Sequence, residues 1–336
     1  MMTDAIERGL RRWQRRTANA VSAPRGPIEQ TARWSDSRMV VAVFYAATMY
    51  LSIASLKRFR TFESPDGFDP LWPARWMTWV EPMSAFIALH LAVIAACGAI
   101  LWRPGPRWPR IVVCLATLCV MGADAGFGKI NHGFHMWWWV SFFLVFLPRR
   151  WADAGDPGSR HDRIVRQQTL TTLWSARAAV LLFYSCAGLM KLRGVLSQTL
   201  SGEPSHFSVG GLSSLIATRH FKTGTSGPLA EMLVRHEWLA TPGHVAAVGL
   251  EFAAVFSLLY AGASRWVAIG LIGMHVGIGL VMDIWFVLNP LLLLILFVLP
   301  ETLRSLDRTS RRRSSLGFGS SPRATADGIP STGPAV

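Results

Sequence analysis

Apolar residues in this chain come in blocks rather than at amphipathic spacing. Eight runs stand out, at about 39–56, 83–102, 110–127, 134–148, 177–192, 245–262, 265–282 and 285–299. A run that is apolar on every side predicts a helix buried on every side, in lipid or protein, and about 20 such residues cross a bilayer. Several runs fall short of that length, and those at 83–102, 177–192 and 285–299 are the clearest. Between the fifth and sixth runs, "HFSVGGLSSLIATRHF" and "PLAEMLVRHEWLA" space their apolar residues at helical intervals, which predicts short helices lying on a surface. The expected fold is an all-α integral membrane protein. It is a bundle of about eight transmembrane helices with short outer-surface helices.

Composition supports that class. Hydrophobic residues make up 51% of the 336 and charged residues 16%, with 15 Trp and a mean hydropathy of +0.31. A soluble domain carries about 25% charged residues. The net charge of +14 raises nucleic acid as a partner, so the placement of charge decides. With eight spans starting inside, 24 of the 34 Lys and Arg fall in inside segments: 1–38, 103–110, 149–177, Arg265 and the tail. That bias is the positive-inside pattern, and it predicts cytoplasmic termini in a bacterial-type inner membrane. The runs RGLRRWQRR (8–16) and RRR (311–313) then read as anchors beside anionic lipid, with no nucleic-acid module accompanying them.

The organisation expected is a basic cytoplasmic segment at 1–38, a transmembrane domain at 39–300 with an outer loop at 193–244, and a basic disordered tail at 301–336. "RRWQRR" resembles part of a twin-arginine export signal, but the first apolar run starts more than 20 residues later with no small-residue cleavage site, which favours a retained span. Cys97, Cys114, Cys119 and Cys186 all lie in apolar runs and suggest packed thiols. No His, Cys or carboxylate spacing suggests a metal site; His206, His220, His236 and His244 match no zinc pattern.

Orientation gives the remaining polar residues a common side. Lys191 closes the fifth run at its outer end. His90, Asp124, Lys129, Asn131, His132, His135, Glu251, His275 and Asp283 also fall in outer halves, near mid-span or on outer turns. Charge in the hydrocarbon costs about 2.5–3.5 kcal/mol per residue on insertion scales, so a polar, outward-facing pocket is the economical expectation. Taken singly, Lys191 and Lys129 could snorkel, either histidine could be a packing residue, and Asp124 and Asp283 could be solvated turn residues. Glu251, flanked by apolar residues in "HVAAVGLEFAAVFSLLY", needs a cationic or hydrogen-bonding partner. Tyr184, Gly188 and Lys191, spaced by four and three, share one helical face. Gly188 admits close approach there.

"YSCAGLMKL" (184–192) resembles the stretch of the vitamin K-dependent γ-carboxylase and the wider horizontally transferred transmembrane (HTTM) family that ends in a proposed base lysine. "INHGFHMWWWVSFFLVF" is similar to that family's Asn-His segment, "GGLSSLIATRH" to its short outer helical region, and "MHVGIGLVMDIWFVLNPLLLLILF" to its late His-containing span. The resemblance runs in order over about 38–300. It implies Lys191 as general base, with Asn131 and His132 orienting or stabilising an oxygenated intermediate. Glu251, His275, Tyr184, Lys129 and Asp283 are the candidate substrate-binding residues beside them.

The residues themselves name no cofactor; the family resemblance allows a reduced quinone, and the chemistry it implies is carboxylase/lyase-like or quinone-linked oxidoreductase. Departures weigh against a protein-glutamate carboxylase. Met190 precedes the lysine, "RGVL" follows it, and a short tail stands where the carboxylase has a large lumenal domain. The expected function is that of a multi-pass membrane protein with an outward-facing polar pocket, and the resemblance alone makes it an enzyme acting on a quinone-like or other hydrophobic small molecule with a lysine general base. A non-catalytic membrane binder or transporter, and a structural membrane subunit, are the alternatives.

Overall fold

The computed structural model describes residues 27–58, 68–126, 133–153, 159–202, 205, 207–208, 210–224, 227–260, 262–300 and 302, and the described residues contain helices and no strand. In chain order the helices are α1 (Pro27–Arg58), a 3-10 turn (Arg75–Trp79), α2 (Pro82–Trp102), α3 (Trp108–Ala125), α4 (Gly133–Val145), α5 (Arg160–Leu200), α6 (Gly211–Thr223), α7 (Pro228–Arg235), α8 (Glu237–Ala253) continued by a 3-10 segment (Ala254–Leu259), α9 (Ala263–Met282), and α10 (Leu288–Leu293) continued by a π-helical turn (Leu294–Val298). Six segments are long and apolar enough to cross a membrane: Asp36–Lys57, α2, α3, α5, Glu237–Leu259 and α9. The fourth and eighth apolar runs form shorter helices, α4 with 13 residues and Leu288–Val298.

Local chemistry accounts for the helix ends. Pro82 opens α2, and the Glu81 carboxylate accepts hydrogen bonds from the Met83 and Ser84 amides, two donors with no intrahelical partner. Hydrogen bonding by the Ser84 side chain, and then by the two amides, holds the exposed Glu81 carboxyl below its ordinary value. Asp283, at φ 51°, turns the chain in the left-handed region at the end of α9. Within α8, Pro242 lacks the amide that would reach the Trp238 carbonyl.

The helices pack around one apolar core contributed by α1–α5, α9, α10 and the segments that follow α8 and α10. Its aromatic centre stacks Phe44 on Trp137 at 5.0 Å, and the indole N–H of Trp137 donates to Thr48 Oγ1 at 3.0 Å. A smaller cluster of Ala74, Met77, Ala85, Phe86, Val120 and Ala123 sits beneath the 3-10 turn. There the Leu71 amide donates to the Gly122 carbonyl, and a Cβ on Gly122 would lie 2.9 Å from Leu71 O.

The two ends of the bundle differ. At the end where α5 and α9 finish, α6 and α7 lie across the helix tips. Arg219 Nε donates to Met282 O at 3.4 Å and His220 Nε2 to Val281 O at 3.0 Å, supplying donors to the last carbonyls of α9. Ser213 Oγ donates to Leu233 O and ties α6 to α7. At the opposite end Arg110, fully buried in the first turn of α3, donates from Nη1 to Leu144 O (3.2 Å) and Leu147 O (2.7 Å), closing the end of α4. Trp151 Nε1 donates to Pro104 O at 2.8 Å, fastening the two adjacent connections together.

Candidate functional site: an ion pair between two apolar helices

Lys191 and Glu251 meet. Lys191 Nζ lies 2.7 Å from Glu251 Oε1 and 2.6 Å from Oε2, so one ammonium donates to both carboxylate oxygens. The Glu251 side chain is 6% exposed and that of Lys191 47%, so the carboxylate is interior and the ammonium opens to the edge of the bundle. This arrangement supplies the partner that a carboxylate in an apolar helix requires.

The backbone explains how two residues 60 positions apart come so close. A Cβ on Gly188 would stand 2.5 Å from Phe252 N and 2.9 Å from Phe252 Cα, so only glycine lets α5 approach α8 at this crossing. One turn earlier, Ser185 Oγ donates to the Glu251 carbonyl (3.2 Å) and accepts from the Val255 amide (2.9 Å). That hydroxyl bridges the point where α8 gives way to the 3-10 segment and satisfies backbone groups freed by the change of helix type. Gly188, Ser185 and Lys191 thus present one face of α5 to α8.

Two turns from Lys191 on the same helix, the buried Tyr184 hydroxyl hydrogen-bonds His275 Nε2 of α9 at 2.8 Å. The His275 ring lies 5.3 Å from that of Phe286. Its Nδ1 is buried with no hydrogen-bond partner among the described residues, as is Oδ1 of the buried Asn289 in α10.

Four of the eight candidate site residues, Lys191, Glu251, Tyr184 and His275, therefore lie on the adjoining helices α5, α8 and α9, in two hydrogen-bonded pairs. Asp283 is two turns beyond His275, about 12 Å by helical rise, exposed, with its carboxylate accepting from Trp285 Nε1 at 3.2 Å. Lys129, Asn131 and His132 lie outside the described residues. His135, which follows them, is half-buried with its ring 6.4 Å from Phe183, the neighbour of Tyr184. His90 packs on Phe86 at 4.8 Å in α2, a helix whose main partners are α1 and α3.

Ser185 and Asn289 escaped sequence reasoning. Asn289 carried a readable signal, an amide inside "FVLNPLLLLILF", where every neighbour but Pro290 is apolar. Ser185 carried none, since a serine in a membrane helix is ordinary and only the fold shows what it bridges. Among the described residues no three His, Cys, Asp or Glu side chains cluster to hold a metal ion, and the four cysteines are free thiols. No protein-family model matches this sequence, and no curated protein or solved structure shows significant similarity to it. The HTTM resemblance therefore rests on the residues quoted for it.

Proposed function

We propose that this chain is an eight-span HTTM-like protein of a bacterial-type inner membrane, with cytoplasmic termini, and that it acts as an enzyme on a quinone-like hydrophobic molecule through Lys191. The observation that carries the reading is the two-point contact of Lys191 with the interior Glu251, two turns from the Tyr184–His275 pair. Charged and titratable groups kept between apolar helices cost free energy that packing alone does not recover, so a chemical role accounts for them. The count of eight adds α4 and Leu288–Val298 to the six longer segments, and the Lys/Arg distribution gives the orientation.

A quinol supplies, when bound, an ionisable hydroxyl and an oxidisable ring. The chain's own residues would handle the proton. Transfer of one proton from the Lys191 ammonium to Glu251 leaves a neutral amine, whose lone pair takes a hydroxyl proton from the substrate, so Glu251 stores the first proton while Lys191 receives the second. His275 and Asn289 would hold the ring's polar substituents, with Tyr184 fixing the His275 tautomer. Asn131 and His132 keep the role that the family resemblance gives them.

A transport reading has its own support. The 3-10 segment at Ala254 and the π turn at Leu294 interrupt two apolar helices, a feature also found where transporters bind cargo between broken helices. The deciding experiment uses the full chain in native-lipid nanodiscs, with co-purified hydrophobic molecules identified by mass spectrometry. Lys191→Ala is made together with Glu251→Gln, so that no interior carboxylate is orphaned. Retained fold and ligand with turnover lost supports the enzyme; altered flux without product supports the transporter. Unchanged function after combined loss of Lys191 and His132 points to a structural subunit and sinks both.

A further inference from the structure

In an unbroken α-helix the Val255 amide would donate to the carbonyl four residues back, which is that of Glu251. Here a hydroxyl from another helix stands in that rung. Ser185 Oγ of α5 donates to the Glu251 carbonyl at 3.2 Å and accepts from the Val255 amide at 2.9 Å, so one side chain takes both ends of a single backbone hydrogen bond. The Glu251 carbonyl accepts instead from the Ala254 amide, three residues on, and the 3-10 segment starts there. A side chain inserted into the ladder is a sufficient cause of the break.

The break falls on the residue that carries the carboxylate. Ser185, Gly188 and Lys191, one turn apart on α5, all act on the same short piece of α8: the serine holds the Glu251 main chain, the glycine admits the Phe252 backbone, and the lysine takes the Glu251 side chain. We infer that Ser185 is a positioning residue for the Lys191–Glu251 pair, its hydroxyl fixing the Glu251 main chain against α5 so that both carboxylate oxygens reach the ammonium. Closing the rung would return the turn from about 3.0 residues to about 3.6, a difference of about 20° per residue. At about 7 Å from the helix axis, that rotation carries a carboxylate through about 2.5 Å. The shift is as large as the 2.6 Å between Lys191 Nζ and Glu251 Oε2. Ser185 and Glu251 are both buried, which keeps the rung out of bulk solvent.

The inference rests on the reading of that pair as the working site, but its test needs no turnover. The full chain in lipid nanodiscs is treated with N-succinimidyl acetate, and acylation of Lys191 is measured by mass spectrometry against the exposed Lys222 in the same sample. Only a neutral amine acylates, and a carboxylate in contact favours the ammonium. Ser185→Ala should raise the Lys191 rate roughly fivefold. Ser185→Thr, which keeps the hydroxyl, should stay within about twofold of the unaltered protein, and Glu251→Gln should give the largest rise. Adding Ser185→Ala to Glu251→Gln should change nothing further, because the serine acts through the carboxylate. Loss of turnover in the nanodisc experiment above bears on catalysis alone, so the two readings can fail separately. A lower Tm with unchanged acylation in Ser185→Ala, equal rises in the Ala and Thr variants, or an undiminished Ser185→Ala effect without the Glu251 carboxylate overturns the assignment.

Discussion

Gly188 shows how much of the site depends on one absent methyl group. A side chain there must push α8 away by displacing backbone rather than a flexible side-chain tip. The same substitution gains about 0.5–1 kcal/mol of helix propensity, so the two effects oppose each other. Overpacking costs about 1–3 kcal/mol and wins. Gly188→Ala should lower stability by about 1–2 kcal/mol on balance, read as a lower Tm in detergent. Six residues on, a Cβ at Gly194 would meet nothing within 4 Å. Gly194→Ala should therefore stabilise by about 0.5–1 kcal/mol. Equal shifts at both positions would refute the close crossing.

Breaking the neighbouring ion pair offers a second comparison at this scale. Lys191→Ala alone leaves a carboxylate that is 6% exposed without its cation, but the ammonium it loses is 47% exposed and partly screened. We expect a loss of about 1–3 kcal/mol, below the value for a fully interior pair. Most of it should return in the double variant with Glu251→Gln, measured by the same melts.

Among the elements, hydropathy located the helices better than it bounded them. The run at 177–192 marks only the apolar middle of α5, which begins at Arg160 and ends at Leu200. Hydropathy reports where a helix is apolar, whereas its ends are set by where backbone hydrogen bonding stops. The last run resolves into an α-helix and a π turn, a change of hydrogen-bond register that leaves no mark on composition. Facial spacing put Tyr184, Gly188 and Lys191 together because that inference needs one helix. The partnership of Lys191 with Glu251 needs two, and spacing within a helix says nothing about its neighbour. Arg110 was illegible for another reason: among Arg103 and Arg107, in a basic connection, nothing local distinguishes the one that turns inward.

The cap of α2 yields a pH prediction. Glu81 titrates below the ordinary 4.5 when folded, because its ionised form accepts the Ser84 and Met83 hydrogen bonds. Its stabilising contribution is thus complete above the unfolded value and disappears as the pH falls through the lower, folded one. Amide exchange at Met83 and Ser84, corrected for intrinsic rates, should lose protection in that acid window. Glu81→Gln should flatten the profile, and a profile unchanged by that substitution would remove the carboxylate from the cap.

For the whole molecule, the proposal of eight spans depends on two helices that are short for the purpose. Thirteen residues rise about 20 Å, against a hydrocarbon thickness of about 30 Å. If α4 crosses, residues 105 and 155 lie on one face of the membrane and 224 on the other. Cysteines introduced at those positions in a variant cleared of Cys97, Cys114, Cys119 and Cys186 should label accordingly with an impermeant maleimide on intact cells: strong at 224, absent at 105 and 155. Labelling of 155 without 105 would mean that α4 dips in and returns.

The length of α5 has a mechanical consequence. Its 41 residues make a rod of about 60 Å, roughly double the bilayer core, and α8 grips it at Gly188, nearer one tip than the other. The arm from that fulcrum to Arg160 is about 42 Å, against some 18 Å on the short side. A tilt of about 5° that loosened the lysine from its carboxylate would swing the far tip by nearly 4 Å. A movement at the short tip would then be felt across the full thickness of the membrane, with the displacement more than doubled on the way.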